Sequence, residues 1–353
     1  RREWYVPRMN AELAAEDALR LAVLMAGEVQ AVRIDEGRME LFALTSKGEA
    51  RVPLHANCRA EGYLNRVRET LGGHALGSPG GYPVHLRRWT RMGQSNAGKL
   101  EAMLKLGQPE AVAAVAHAPG LSDELARRAW WALPTVDTAR VMLGHAAVRT
   151  GSMGRVLVDF LVDYLPFEAD PVAAMNLVRA VLASGLASPE IRQSLWQKGR
   201  RRPHYLIGFL ESYGDDLPAA GRARPLPEPV TAAAAAGNVW AQTLARCCSP
   251  VGQAWLQAAE AALDKPSAHE AVYLLLDLIG AYFAAVAAAP GREALAGLER
   301  EAEALAALAA TGSGDGEAIL VRTTAVGPLL RKKLEPLVAP LLERLRVLQG
   351  WAP

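Results

Sequence analysis

The feature that most constrains the fold of this chain is the loss of strand-like alternation at about residue 100. From Leu100 onward, Pro and Gly divide the sequence into apolar-striped segments of roughly 10 to 18 residues, the length and period of helices. Asp170-Pro171 and Ser188-Pro189 are typical helix starts, because a capping side chain precedes a Pro at the first helical position. The sequence therefore predicts a mainly α protein.

Strands are predicted only near the N-terminus. Asp35-Glu36-Gly37 and Ser46-Lys47-Gly48 predict turns between three runs in which every second residue is apolar. These runs contain Val32 and Ile34; Met39, Leu41 and Ala43; and Ala50, Val52 and Leu54. Helical spacing precedes them at residues 11–26 and follows them from Tyr63 to Leu71. Residues 1–95 are thus predicted to form a small α+β domain: a helix, a three-stranded antiparallel meander and a second helix.

The rest of the chain is predicted to contain two helical parts. Residues 96–217 have the density of short helices that is typical of HEAT-like helical repeats, but no repeated consensus is visible, so an α-helical bundle remains the alternative. The Pro-rich run at 218–230 predicts a linker, and residues 231–353 predict an Ala-rich helical domain. Residues 1–8 precede the first helical pattern and are interpreted as an extension outside the fold.

Composition restricts the classes of function. The 353 residues include 39 basic and 37 acidic side chains, a formal net charge of +2, which argues against a surface built wholly for nucleic acid. The three cysteines, Cys58, Cys247 and Cys248, are too few for a disulfide-stapled secreted domain and indicate a reducing compartment. No signal-peptide pattern is seen, so we expect a cytoplasmic protein.

One stretch has nearly the length of a membrane span. Residues 271–289, AVYLLLDLIGAYFAAVAAA, carry Asp277 in their middle and lack a flanking cluster of Lys or Arg. We therefore expect a buried helix here and no membrane segment.

No motif for catalysis is complete. Gly93, Gly98 and Lys99 have the spacing of a P-loop, but Leu100 replaces the hydroxyl residue that binds Mg²⁺, and no buried strand precedes the glycines. We interpret this segment as a joint between domains. The sequence lacks a G-x-S-x-G elbow and the His and Cys spacings of zinc sites. It therefore predicts a protein that is not an enzyme and has no catalytic residue, cofactor or metal site. Cys247 and Cys248 are interpreted as buried small residues, with a metal or redox role as the alternative.

Two stretches combine arginines with aromatic residues. Guanidinium groups bind phosphates and carboxylates, and aromatic rings stack on unpaired bases, so both stretches suit single-stranded nucleic acid or an acidic protein. The alternative is a solvated turn in which the arginines pair with nearby carboxylates. The candidate partner-binding residues are Arg87, Arg88, Trp89 and Arg91 in HLRRWTRM, and Arg200, Arg201, Arg202 and Tyr205 in KGRRRPHYL.

Trp130 and Trp131 are a further candidate. Adjacent residues on a helix point about 100° apart, so the two rings face different surroundings. One is expected to pack in the core and the other to lie near a docking surface, which makes both tryptophans candidate partner-binding residues.

These stretches also carry a resemblance to a known family. GSPGGYPVHLRRWTRMGQ, APGLSDELARRAWWALP, YLPFE and LWQKGRRRPHYLIGFL together resemble the DsrS family, over roughly residues 10 to 217. Proteins of that family are encoded with the dissimilatory sulfite reductase genes of sulfur-oxidising bacteria. The resemblance implies a cytoplasmic accessory protein of sulfur oxidation that is regulatory and does not handle sulfur itself. It implies no catalytic or ligand residue at any position here.

Three functions remain open from the sequence. The first is a non-catalytic protein that binds a protein partner and modulates expression or assembly of the sulfur-oxidation machinery. The second is an RNA-binding post-transcriptional regulator that uses the two Arg-aromatic stretches. The third is an enzyme or sulfur relay that uses Cys247 or Cys248.

Overall fold

The structure, a computed structural model, describes residues 12–77, 97–266, 268–321 and 323–351. It is mainly helical, and it begins with a helix, a three-stranded antiparallel sheet and a second helix. The predicted fold class is confirmed at this level. The choice between HEAT-like repeats and a bundle stays a prediction.

The sheet is the predicted meander. Its strands are β1 (Val29–Asp35), β2 (Glu40–Thr45) and β3 (Gly48–Pro53), in the spatial order β1-β2-β3, so β1 and β3 are the edge strands. Val32 pairs with Ala43, and Leu41 pairs with both Ile34 and Val52. The alternating residues of all three runs therefore share one face of the sheet.

The chain forms two compact units, Arg1–Phe160 and Leu161–Pro353. The helices of the first unit are α1 (Ala15–Met25), α2 (Ala60–Leu76), α3 (Ala97–Met103), α4 (Pro109–Ala116), α5 (Asp123–Ala132), α6 (Val136–Met142), α7 (Ala146–Arg149) and the greater part of α8 (Met153–Tyr164). The division between the units falls within α8, after Phe160.

The first unit packs helices on both faces of its sheet. Leu21 of α1 and Tyr63, Val67 and Leu71 of α2 form one buried cluster with Val32, Leu41, Ala43 and Val52 of the sheet. On the other face, Arg127 of α5 donates to Gln30 at 2.9 Å and the Trp131 indole donates to Glu49 at 3.0 Å. The edge strand β1 is also engaged, because the Val32 amide donates to the Leu104 carbonyl at 2.8 Å.

These contacts explain why the compact unit is longer than the predicted α+β domain. The sequence predicted a domain boundary at residue 95, after the strand-like alternation ends. The second face of the sheet carries apolar residues, however, and helices that follow residue 95 cover them. Ala31 and Leu44 lie on that face and are buried. A change from strand-like to helical spacing of apolar residues shows where the strands end, but it does not show where the hydrophobic core ends.

The second unit is helical. Its elements are the end of α8, a 3₁₀ turn (Leu165–Phe167), α9 (Pro171–Ala183), α10 (Pro189–Gly199), α11 (His204–Ser212), α12 (Glu228–Ala235), α13 (Val239–Cys248), α14 (Pro250–Asp264), α15 (His269–Phe283), 3₁₀ turns at Ala284–Val286 and Arg292–Leu295, α16 (Glu299–Ala309), α17 (Ser313–Leu320) and α18 (Gly327–Gln349). Asp170 and Ser188 cap α9 and α10 through side-chain hydrogen bonds, as their positions before Pro predicted.

Aromatic residues form the centre of this unit. The Trp255 and Tyr282 rings stack with centroids 3.7 Å apart, and Phe283 meets Trp255 edge-on at 5.9 Å. The long α18 packs on both α14 and α16 through a leucine-rich stripe. The run TGSGDGE, whose glycines alone would favour a loop, contains the start of α17, because Asp315 accepts from the Gly312 amide and Asp277 of α15 accepts from the Ser313 amide.

The Pro-rich run at 218–230 is fixed to this unit. The Gly221 amide donates to the Pro250 carbonyl at 2.7 Å, and the Arg224 amide donates to the Cys248 carbonyl at 2.9 Å. The Arg224 guanidinium reaches the Glu301 carboxylate at 2.5 Å and the Val347 carbonyl at 3.0 Å. The run lies within one compact unit, so the boundaries predicted around it differ from the division that the contacts give. The four-part division of the chain stays a prediction.

Within the described residues, one stretch, His269–Val286, has the length and apolar character of a membrane-crossing helix, and 44% of it is buried inside the protein. Its buried side chains include Leu275, Leu276 and Ile279, and it packs on α16 and α17.

Candidate partner-binding surface

The arginine run at 200–202 forms the turn between α10 and α11. Leu195 and Gly199 of α10 and Leu206 of α11 are buried, and a side chain at Gly199 would meet Leu206 at 2.6 Å. The two helices therefore approach closely at this turn, and the apolar positions on both sides face the core. Arg200, Arg201 and Arg202 in the turn are exposed, as is Lys198 near the end of α10. We call Lys198, Arg200, Arg201 and Arg202 the basic cluster.

The basic cluster lies beside a cleft of about 330 Å³. The lining consists of Leu165, Pro166, Lys198, Arg201, Arg202 and Tyr205. One wall is thus apolar and comes from the 3₁₀ turn after α8, and the other is cationic and comes from the α10–α11 turn. We call this feature the basic cleft.

Tyr205 contacts the basic cluster through Arg202. It is only 1% exposed, its hydroxyl accepts from Arg202 Nη1 at 3.1 Å, and the guanidinium lies 5.9 Å from the ring centroid. The sequence predicted Tyr205 as a contact for a partner, but the apolar face of α11 takes the ring into the core. Its side chain orients Arg202 and is closed to a stacking base.

The cluster is not neutralised at short range. Elsewhere in this unit, Arg179 pairs with Glu211 at 2.6 Å and Arg192 pairs with Asp216 at 3.0 Å. No carboxylate within the described residues forms an ion pair with any member of the basic cluster. The alternative interpretation of this run, a turn whose arginines pair with nearby carboxylates, therefore lacks its pairs among the described residues.

His204 carries no positive charge at neutral pH. Burial, and next the positive charge of Arg202, lower the pKa of His204 from 6.5 to about 4, although the Asp170 carboxylate acts in the opposite direction. Its ring meets the Tyr205 ring edge-on at 5.1 Å. The histidine is thus a packing residue at pH 7, and the charge of the cleft comes from Lys and Arg.

An exposed aromatic ring lies next to the cleft in sequence. Phe167 directly follows Leu165 and Pro166 in the 3₁₀ turn and is 80% exposed. Sequence reasoning missed it as a site residue. The signal was the Pro after Leu165, because a Pro at the start of a short turn ends the helical stripe and leaves the next apolar residue without a buried position.

The two tryptophans face different surroundings, as their adjacency predicted. Trp130 meets Phe160 edge-on at 4.7 Å, and Trp131 lies against Arg33, whose guanidinium is 5.0 Å from the indole centroid. Both are half-buried, so neither is the core residue that the sequence predicted. The Trp131 N–H is already bonded to Glu49. The contacts of Trp131 are thus made within the first unit, and a docking role for either ring stays a prediction.

The other candidate residues are placed as follows. Arg87, Arg88, Trp89 and Arg91 lie outside the described residues, as does Gly93 of the P-loop-like trio. Lys99 is half-buried on α3, and Leu100, at the position of the P-loop hydroxyl, is fully buried. No group of three or more His, Cys, Asp or Glu side chains in the described ranges could hold a metal ion.

The thiols differ sharply in exposure. Cys58 is exposed, whereas Cys247 and Cys248 are buried on α13. Burial is the main cause that raises the pKa of the Cys247 thiol far above its ordinary value, and burial also raises the pKa of Cys248. A protonated, inaccessible thiol is a poor nucleophile and a poor sulfur acceptor.

Comparison with known proteins gives no relative. The chain matches no family model, no curated protein sequence and no solved structure.

Proposed function

We propose that this protein is a non-catalytic accessory protein that binds an acidic segment of a protein partner in the basic cleft. The observation that supports this proposal most is the basic cluster. It places four cationic side chains at the end of α10 and on the turn that follows, without ion-pair partners among the described carboxylates, beside an apolar wall. A charged rim next to an apolar surface is the composition of a protein-binding site rather than that of a solvated turn.

The resemblance to the DsrS family supplies the proposed context. It points to a cytoplasmic regulatory accessory of the dissimilatory sulfur-oxidation system, and the YLPFE and LWQKGRRRPHYLIGFL stretches that carry it are the two walls of the basic cleft. The burial of Cys247 and Cys248 argues against the alternative of a thiol-based sulfur relay through those residues.

The test measures binding of labelled poly-glutamate by fluorescence anisotropy. We expect R200A/R201A/R202A to weaken binding by at least about tenfold, because charge-assisted contacts to carboxylates are lost. The matched control is R331A/K332A/K333A, which removes three consecutive exposed cations from α18 in the same unit. Equal weakening by both triple variants would mean that only net charge matters and would reject the cleft.

RNA is a second candidate, favoured by the exposed Phe167, which directly follows the apolar wall of the basic cleft in sequence. An unpaired base could stack on this ring while the arginines contact phosphates, and such binding falls steeply with salt. The two candidates separate through F167A. If RNA is the ligand, F167A weakens binding of a labelled oligo-uridine more than binding of poly-glutamate, and the wild-type protein prefers the oligonucleotide at matched ionic strength.

A further inference from the structure

A second cleft lies in the first unit along the edge strand β1. Its volume is about 490 Å³, within the range of small-molecule sites. Apolar residues from the sheet and from the surrounding helices form much of its wall, including Ile34, Phe42, Val112 and Leu133. Three arginines, Arg33, Arg38 and Arg68, line it as well. We call it the strand-edge cleft.

Arg68 of α2 lines this cleft and has a buried donor without an acceptor among the described residues. Its Nη2 bonds to the Glu36 carboxylate, and its side chain is 18% exposed. Its Nε–H is closed to water and has no acceptor among the described residues. A buried donor without an acceptor is destabilising, so we expect this N–H to bind an acceptor oxygen that reaches it.

Arg33 of β1 repeats the arrangement. Its guanidinium is held between the Phe42 ring at 4.8 Å and the Trp131 ring at 5.0 Å, and its Nη2 donates to Glu49 at 3.0 Å. Its Nε–H is likewise buried and unpartnered in the described part of the chain. Two guanidinium groups of one cleft therefore each keep a buried Nε–H without an acceptor among the described residues, while their Nη2 atoms bond to Glu49 and Glu36.

Each arginine of the lining has one carboxylate partner, so the buried donors that remain there are the two Nε–H groups. Asp35 lies 3.7 Å from Arg38 Nε and accepts from the Arg38 amide at 3.0 Å. Glu36 bonds to Arg68, and Glu49, which does not line the cleft, pairs with Arg33. An acceptor oxygen that enters the cleft can therefore satisfy two arginine N–H groups that have no acceptor among the described residues.

We propose that the strand-edge cleft binds a small organic anion, a carboxylate carried on an apolar body. The carboxylate oxygens accept from the Nε–H groups of Arg33 and Arg68, and the apolar body packs on Ile34, Val112 and Leu133. Both side chains line the cleft, and because the two nitrogens are closed to water in the free protein, binding requires each guanidinium to rotate towards the ligand. Burial of the apolar body removes its surface from water, which adds to the affinity.

The test uses the full chain with benzoate as probe and benzamide as its uncharged counterpart. In the ¹⁵N-labelled wild-type protein, we expect benzoate to shift the Nε–Hε resonances of Arg33 and Arg68 with one saturable affinity, and benzamide to bind at least about tenfold more weakly. A failure of benzoate to shift both resonances, or equal affinity for benzamide, overturns the proposal.

Two variants localise the site. R68K keeps the positive charge but removes the guanidinium fork, so it should weaken benzoate binding by about tenfold or more. The control, R51K, alters an exposed arginine of β3 that pairs with Glu40 and does not line the cleft, and it should leave binding unchanged. Unchanged benzoate binding by R68K contradicts the proposal. If R68K does not fold, the benzoate-induced shifts of the Arg33 and Arg68 resonances in the wild-type protein provide the test. The outcome is independent of the basic cleft, which belongs to the other unit.

Discussion

The reactivity and the contacts of single residues in this protein depend on burial more than on residue type. Cys58 and Cys247 are both free thiols, but one is exposed and the other is enclosed in the core of the second unit. Tyr205 is predicted from the sequence as a stacking platform, and burial makes it a support for Arg202. The candidate side chains that stay accessible to a partner lie where the chain turns, as Phe167 and the basic cluster do.

The thiols give a direct test at this scale. With a thiol-specific reagent, we expect one cysteine to react rapidly in the native protein and all three to react after unfolding, because Cys247 and Cys248 are buried and burial raises their pKa values. C58A provides the control and should remove the rapid phase. A rapid native reaction in C58A would revive the sulfur-relay alternative.

His204 predicts a pH effect on stability. Its pKa falls from 6.5 to about 4 on folding because of burial and the charge of Arg202, so the unfolded chain binds more protons between these two pH values. Its contribution is therefore fully present above pH 6.5 and is lost as the pH falls towards 4. The free energy of unfolding should decrease less between pH 7 and pH 5 in H204Q than in the wild type. Identical decreases would show that His204 does not titrate as stated.

At the scale of elements, close helix contacts depend on glycine. A Cβ at Gly280 of α15 would lie 2.0 Å from the Thr311 carbonyl oxygen that follows α16, whereas a Cβ at Gly314 of α17 meets no described atom within 4 Å. The same change should therefore have opposite effects. We expect G280A to lower the free energy of unfolding by about 2–4 kcal/mol through overpacking. G314A should raise it by a few tenths to about 1 kcal/mol through helix propensity.

Denaturant unfolding of both variants measures this difference. A G280A protein as stable as the wild type would mean that α15 and the end of α16 separate easily. The sequence could not foresee the contact, because Gly280 lies within an apolar helix pattern and nothing local distinguishes it from a poor helix residue. It is the packing of a segment some thirty positions later that requires the missing side chain.

Elements themselves were largely predictable from local pattern. The three strands follow from alternation and the two turn sequences, and α9 and α10 begin at their Asp-Pro and Ser-Pro pairs. The start of α17 was not predictable, since its Gly-rich sequence reads as a loop and its helix is capped by Asp277 of α15 from far along the chain. Long-range side-chain contacts override local preference at such points.

At the scale of the whole molecule, the sequence located the basic turn but not the cleft beside it. Arginines at 200–202 are visible as a run, whereas the apolar wall comes from Leu165 and Pro166, which become neighbours of that run only in the fold. The strand-edge cleft could not be predicted for the same reason. Arg33 and Arg68 lie on different elements, and they line one cleft only because α2 packs on the sheet.

The most direct test of the proposed function is affinity capture from an extract of a sulfur-oxidising bacterium, with and without RNase treatment. The wild-type protein and R331A/K332A/K333A should retain the same protein partner, R200A/R201A/R202A should lose it at unchanged thermal stability, and RNase should have no effect. Retention of that partner by R200A/R201A/R202A, or capture that disappears with RNase, would contradict binding of an acidic protein segment in the basic cleft.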